Sequence, residues 1–369
     1  MDFEVQPVAF ADLPGWADDD PGPLLAALGR CRRHVTEVKA YKTGTLGISV
    51  ADLMPAFEAA TSVKTDDPMA ARAFFQDQFV PFRIDGADGR SGFVTAFYEP
   101  DVSVSALPDE THRYPFYRRP LDLIDVDMSN RSTGMDASFA FGQKADGGVV
   151  EYPDRQAIEE GYLHGRGLEI AYATSVVDVF FAHVQGAARL VYPDGSVRRI
   201  TYAAKTGHPF SAIGKLLIER GAIDAATVSM QSIRHWLADH PDETQSVLWH
   251  NRSFIFFREA DVDDPALGPI AAAKVPLVPG RSLAVDRLIH TFGMPFFIAS
   301  DSLTHMDGDK PFRRLMLALD TGSAILGPAR GDIFTGSGDE AGRLAGSVRN
   351  DATFYVLIPK AAAARYGHG

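Results

Sequence analysis

The sequence predicts a mainly β protein with accessory helices. Three observations carry that expectation. Apolar residues recur at helical spacing up to about residue 80, the period shortens to two from Phe82, and the chain beyond Ser282 is a series of short apolar runs parted by Gly and Pro turns. Many short strands separated in this way point to a barrel rather than a parallel sheet.

The elements follow in order. Pro23-Leu24-Leu25-Ala26-Ala27-Leu28 opens a helix with Asp20 as its cap, and residues 50–60 and 68–79 suggest two more. Phe75 and Phe79 stand four apart, which predicts one helix face. Phe82-Arg83-Ile84 and residues 92–98 read as two strands joined as a hairpin by Asp85-Gly86-Ala87-Asp88-Gly89. The Asp-, Ser-, Pro- and Gly-rich stretch 101–150 predicts long loops with a few short strands. A short helix over 154–160 stops at Gly161, a strand covers 168–172, an apolar run covers 176–181, and a hairpin joins 185–192 to 197–202 across Pro193-Asp194-Gly195-Ser196. Helices are expected over 212–220, ended by Gly221, and 229–240, before a strand over 254–258. Five strands then cover 282–285, 295–299, 314–319, 332–334 and 353–358, with a helical turn or two over 340–345.

Composition sets bounds on function. The 369 residues are 46% hydrophobic, enough for a sizeable core and a two-domain chain, and no repeat or low-complexity segment interrupts them. A formal net charge of −12 argues against nucleic acid as a partner. The single cysteine, Cys31, excludes an internal disulfide and reads as a packed helical thiol. No apolar run reaches the roughly 18 residues of a membrane-spanning helix. Met1-Asp2-Phe3-Glu4-Val5 lacks the basic and apolar regions of a signal peptide, so either cytoplasmic residence or a targeting segment absent from this chain is expected.

Candidate chemistry concentrates in three aspartates at the C-terminal strands: Asp286, Asp320 and Asp332. A carboxylate at the end of an apolar strand, as where Leu315-Met316-Leu317-Ala318-Leu319 meets Asp320, must be hydrogen-bonded or hold its proton. Either state suits acid/base work, although from spacing alone a strand-end aspartate more often satisfies a turn, as in Asp320-Thr321-Gly322. Asp320-Thr321-Gly322-Ser323 resembles half of an aspartic protease site, but that chemistry needs two aspartates sharing a proton and no second Asp-Thr-Gly or Asp-Ser-Gly occurs. The 11 histidines are scattered without a metal-ligand spacing, so no metal or other cofactor is expected. Asp18-Asp19-Asp20 and Asp261-Val262-Asp263-Asp264 read as solvated acidic loops. Gly336-Ser337-Gly338-Asp339 lacks the Lys-Ser/Thr ending of a phosphate loop. Thr95-Ala96-Phe97-Tyr98-Glu99-Pro100 could line a sugar groove, yet such a strand is more often core.

An ordered set of segments resembles the membrane-bound lytic transglycosylase A family. Val8-Ala9-Phe10-Ala11-Asp12-Leu13-Pro14-Gly15-Trp16 is similar to its mature N-terminus, and Phe97-Tyr98-Glu99-Pro100 to its Tyr-Tyr-Glu-Pro motif. Pro115-Phe116-Tyr117-Arg118-Arg119-Pro120, Gly165-Arg166-Gly167-Leu168-Glu169, Phe180-Phe181-Ala182-His183-Val184-Gln185-Gly186, Ser211-Ala212-Ile213-Gly214-Lys215 and the run from Leu248 to Glu259 follow. Ala284-Val285-Asp286-Arg287, the run from Asp320 to Gly327, Gly331-Asp332-Ile333-Phe334 and the run from Gly336 to Gly342 resemble its three-aspartate domain. Ala96 and Phe97 stand where many members carry Gly and Tyr, Ser323 replaces a frequent Gly, and residues 202–207 depart from a Gly-Tyr-Ala-Gly pattern.

The resemblance implies a double-psi β-barrel built from residues 1–100 and 246–369, with N-terminal helices, and an inserted β domain over 101–245. A groove between them would hold a glycan strand of peptidoglycan, the sole partner expected of a monomer in the periplasm, with outer-membrane association expected from the family. Asp332 would be the single acid/base, its pKa raised by low exposure and by the charge of Asp320, and Asp320 its catalytic neighbour, also orienting the site by hydrogen bonding. Substrate contacts would come from Asp286, Thr95, Tyr98, Glu99, Gln185, Gly186, Thr321, Gly322, Ser323, Gly336 and Gly338. The implied reaction is non-hydrolytic cleavage of the β-1,4 bond between N-acetylmuramic acid and N-acetylglucosamine. The alternatives are a non-catalytic glycan-binding protein of expansin type, then the aspartic protease.

Overall fold

The computed structural model describes residues 3–64, 66–87 and 89–367. Met1, Asp2 and the Asp88 of the expected turn lie outside the described residues. The chain falls into two compact units, Met1–Tyr98 with Val262–Gly369, and Glu99–Asp261.

The first unit begins with a strand, β1 (Phe3–Pro7), where helix was expected. Only alternate residues of β1 touch the core, so its apolar signal is that of an edge strand. Helices α1 (Gly22–Glu37), α2 (Val50–Ala60) and α3 (Pro68–Gln78) follow. Pro21 occupies the N-cap position of α1, and the Asp20 carboxylate accepts the Gly22 amide at 3.0 Å. In α2 the Ser49 hydroxyl accepts the Asp52 amide while the Asp52 carboxylate accepts the Ser49 amide, a reciprocal cap that fixes the start. Asp67 caps α3, with Pro68 at its first position. Phe79 has already left α3 and opens β2 (Phe79–Gly86), so its stack on Phe75 at 5.9 Å joins helix to strand rather than lying on one helix face. Strand β3 is Gly92–Glu99. β2 and β3 do not form the expected hairpin: β2 pairs with β1, and the chain's last strand takes the place beside both.

The second unit carries β4 (Asp101–Ser105), β5 (Tyr114–Tyr117), β6 (Leu123–Asp125), β7 (Phe141–Ala145) and β8 (Gly148–Val150). Asp154 caps α4 (Arg155–Ala157), which widens into looser turns before β9 (Glu169–Ala173). The apolar run at 176 is helix α5 (Val176–Gln185), so Gln185 ends a helix instead of opening a strand, and Gly186 is its left-handed stop. β10 (Ala187–Val191) and β11 (Val197–Lys205) form the expected hairpin. Helices α6 (Ile213–Glu219) and α7 (Met230–Asp239) precede α8 (Pro241–Trp249), which the weak apolar pattern there did not announce, and then β12 (Ile255–Glu259). One sheet runs β12-β11-β10-β4-β9-β5, and a bridge from Arg118 to Phe257 brings its two edges together; β6-β7-β8 form a separate small sheet.

The first unit resumes with β13 (Ser282–Val285), β14 (Pro295–Ser300), β15 (Phe312–Asp320), β16 (Arg330–Ser337), α9 (Gly338–Gly346), β17 (Arg349–Pro359) and α10 (Lys360–Ala363). The strand order β17-β14-β15-β13-β16-β3 closes on itself because β17 also pairs with β3. β17 is long enough to pair with β3 along its first half and with β2 along its second. β13 and β14 are buried at every residue, which is why they read as continuous apolar runs without alternation. Phe82, Leu283, Phe296, Leu317, Ile333, Phe354 and Val356 fill the core without exposure. Each such side chain contributes about 1.5–3 kcal/mol by leaving water.

Candidate active site

The sheet register brings Asp320 and Asp332 together. β13 lies between β15, parallel, and β16, antiparallel. Ala284 of β13 is the register partner of Asp332 on one side and of Asp320 on the other. On the Asp320 side the register slips by one residue between Leu283 and Ala284, which turns Asp320 onto the face it would otherwise miss. Two strand spacings put the two aspartate backbones about 10 Å apart, with only the Ala284 methyl between them on that face.

Asp332 is half-buried. The Thr95 hydroxyl on β3 donates to its Oδ1, and Arg330 Nη2 donates to the same Thr95 oxygen at 2.7 Å. Arg330 thus reaches Asp332 through a hydroxyl, and its Nη1 donates to the Gly331 carbonyl. Burial pushes the Asp332 carboxyl above the ordinary range, while the Thr95 hydrogen bond and the Arg330 charge pull back.

Asp320 is also half-buried, and its pKa is raised to about 6. Burial is the main cause. The amides of Thr321 and Ala272 oppose it, the latter donating to Oδ1 at 3.1 Å; the charge of Asp332 adds to the rise and Lys274 lowers it. Burial raises Asp332 as expected, while the repulsion between the two carboxylates falls on Asp320, which the charge of Asp332 raises. Ala272 and Lys274 sit on a turn closed by the Ala271 amide on the Val275 carbonyl, in which Lys274 adopts a left-handed backbone with φ of 62°.

Asp286, 4% exposed, spends its carboxylate on the chain itself: Oδ1 accepts the Leu288 amide at 3.0 Å and Oδ2 the Gly327 amide at 2.9 Å. His290 ties the same loops by donating Nε2 to the Pro328 carbonyl at 2.8 Å. Thr321, Gly322 and Ser323 form the turn after β15, with Ser323 exposed. Tyr98 is buried, its ring so close over α9 that a Cβ on Gly342 would stand 2.7 Å from it. Gly336 and Gly338 take positive φ of 131° and 83°, bending β16 into α9 in a way side chains resist. Glu99, Gln185 and Gly186 belong to the second unit, where Glu99 is fully buried with Arg199 Nη2 at 3.3 Å.

Sequence reasoning missed Arg330, Ala272 and Lys274. Arg330 had a legible signal, since a residue two before Asp332 on a strand shares its face. Nothing local announced the 271–275 turn. Among the described residues no group of three or more His, Cys, Asp or Glu is arranged to hold a metal, and no helix is long and apolar enough to cross a membrane.

A β unit that places two raised carboxyls on one face is the equipment of an acid/base enzyme. Residues 93–258 match the MltA specific insert domain and residues 281–358 the 3D domain. Membrane-bound lytic murein transglycosylase A of Escherichia coli is 32% identical over 285 residues, 75% of this chain and 68% of that protein. A crystal structure of a membrane-bound lytic murein transglycosylase from Agrobacterium tumefaciens is 61% identical, with a TM-score of 0.94 over 98% of this chain and 99% of that one. MltA from Neisseria gonorrhoeae gives 30% identity and a TM-score of 0.78 over 96% and 92%, and E. coli MltA with bound chitohexaose gives 28% and 0.66 over 92% and 90%. The chain belongs to the membrane-bound lytic murein transglycosylase A family.

Proposed function

We propose that the protein is a peptidoglycan lytic transglycosylase in which Asp332 is the single acid/base. The observation that carries this reading is a half-buried Asp332 whose surroundings favour its protonated form and whose register neighbour across Ala284 is a second raised carboxyl. The chitohexaose held by E. coli MltA, a chain of β-linked amino sugars, supports a glycan as ligand.

The chemistry needs one carboxyl group. Asp332 gives its proton to the glycosidic oxygen, and the C1–O bond of N-acetylmuramic acid breaks with its electron pair passing to that oxygen. The C6 hydroxyl of the same sugar then bonds to C1 and returns its proton to the Asp332 carboxylate. The product is a 1,6-anhydromuramoyl end, and neither water nor an enzyme nucleophile enters, unlike the two-carboxylate glycosidases. Asp320 is proposed to shape the electrostatics of the pair, Asp286 to hold the loop before β16, and Thr95, Thr321, Gly322 and Ser323 of the same unit to contact the glycan. The closed ring of the first unit is taken as a double-psi β-barrel, interrupted in sequence by an inserted β domain that starts near residue 100. The membrane-bound relatives support a membrane-associated site of action, and a murein substrate favours the periplasm.

Purified sacculi digested with the full chain, without added metal or nucleotide, should release 1,6-anhydromuropeptides by mass spectrometry, and Asp332→Asn should abolish them. Muramic acid with a free reducing end would make the enzyme a hydrolase, and binding to sacculi without release would make it a glycan-binding protein.

A further inference from the structure

We infer that Arg330 is a positioning residue that, acting through the Thr95 hydroxyl, fixes the transferable proton of Asp332 on Oδ2. The inference rests on the reading of Asp332 as the acid. A threonine hydroxyl carries one hydrogen and two lone pairs. Arg330 Nη2, at 2.7 Å, fills one of those lone pairs. The hydroxyl hydrogen then turns to Asp332 Oδ1, the acceptor within reach. An oxygen that accepts this hydrogen bond is the wrong place for the acid's own proton, so the proton is left on Oδ2, the oxygen free to meet the glycan.

Arg330 is itself held in place. Its Nη1 donates to the Gly331 carbonyl, and its guanidinium lies 5.5 Å from the centre of the Phe93 ring. A planar fork can serve the carbonyl and the hydroxyl together, which a lysine ammonium on a flexible stem does less well. Arg330 and Asp332 come from β16 and Thr95 from β3. The other charged group coupled to Asp332 is Asp320 at the end of β15, which is itself coupled to Lys274 on the 271–275 turn.

The test compares Arg330→Met, Thr95→Val, their double variant and Thr95→Ser in the full chain, following anhydromuropeptide release from sacculi as a function of pH. On the acidic plateau, where Asp332 carries its proton in every variant, Arg330→Met and Thr95→Val should each lower kcat by about tenfold or more with little change in KM. The double variant should be no worse than the poorer single one, because both break the same relay. Thr95→Ser should keep most of the activity. The alkaline limb of Arg330→Met should also move to higher pH, since the charge that lowers the Asp332 pKa is gone.

A plateau kcat equal to that of the unaltered chain, with only the limb displaced, would reduce Arg330 to a distant charge and overturn the inference. Multiplying losses in the double variant would overturn it as well. Should Arg330→Met fail to fold, the Thr95→Val and Thr95→Ser pair still decides, since equal losses in both refute a role for the hydroxyl. Full anhydromuropeptide release by Asp332→Asn would instead remove the acid assignment, and the inference with it.

Discussion

Replacing Asp320 by asparagine should make the first unit harder to unfold at neutral and alkaline pH. Asp320 holds its proton up to about 6 in the folded protein against an ordinary value of 3.8, so the folded state binds that proton more tightly than the unfolded chain does. Its favourable contribution is complete below 3.8 and is lost as the pH rises through about 6. The displacement corresponds to about 3 kcal/mol at pH above that window, the amount by which ionising Asp320 penalises the fold. Asparagine never ionises, and its Oδ1 can still accept the Ala272 amide that lies 3.1 Å from Asp320 Oδ1. Hydrogen exchange of peptides from β15 and β16 across this pH range reads the unit that holds the site. The variant should match the unaltered chain at the acidic end and gain up to about 3 kcal/mol at the alkaline end. A difference that does not change with pH, or an unaltered chain that becomes more stable as Asp320 ionises, would refute the reasoning.

Two further expectations concern the same unit. Asp19 is buried at 5% exposure, with Oδ1 on Arg281 Nη1 at 2.8 Å and Oδ2 on the Leu315 amide at 2.8 Å. Asp19→Ala strands the guanidinium and an amide, and thermal or urea unfolding should show a loss of about 3–5 kcal/mol. Cys31 is fully buried in α1, and burial pushes its thiol up to about 12. A thiol reagent should label it only after unfolding, and prompt labelling of the folded chain would contradict that packing.

Legibility in the sequence followed the strength of local signals. Residues 50–60 and 282–285 were read to the residue because a capping pair starts one and an unbroken apolar run makes the other. β1 was lost because an edge strand shows the core one residue in two, and α8 because its apolar positions are few. The run at 176 could not be told from a strand by periodicity alone. The supposed hairpin of β2 and β3 failed for a different reason. Its two strands are claimed by β17, which lies more than two hundred residues away in sequence, and no local pattern encodes that choice. The three acids were visible as residues. The pairing of Asp320 with Asp332 came only from the resemblance and not from any local pattern, since Asp320 reaches the shared face through a register slip against Leu283 and Ala284. Arg330 was readable by its place two residues before Asp332, whereas Lys274 came from a turn with no chemical signature.

The double duty of β17 has a consequence during biosynthesis. Because β17 completes the ring by joining β14 to β3, a ribosome must carry synthesis as far as Pro359 before the first hundred residues can settle beside Asp332. A chain that stops between Asp332 and β17 would hold every acid of the site in its sequence and none of them in working order, so an enzyme able to breach a cell wall would arm only once β17 is made.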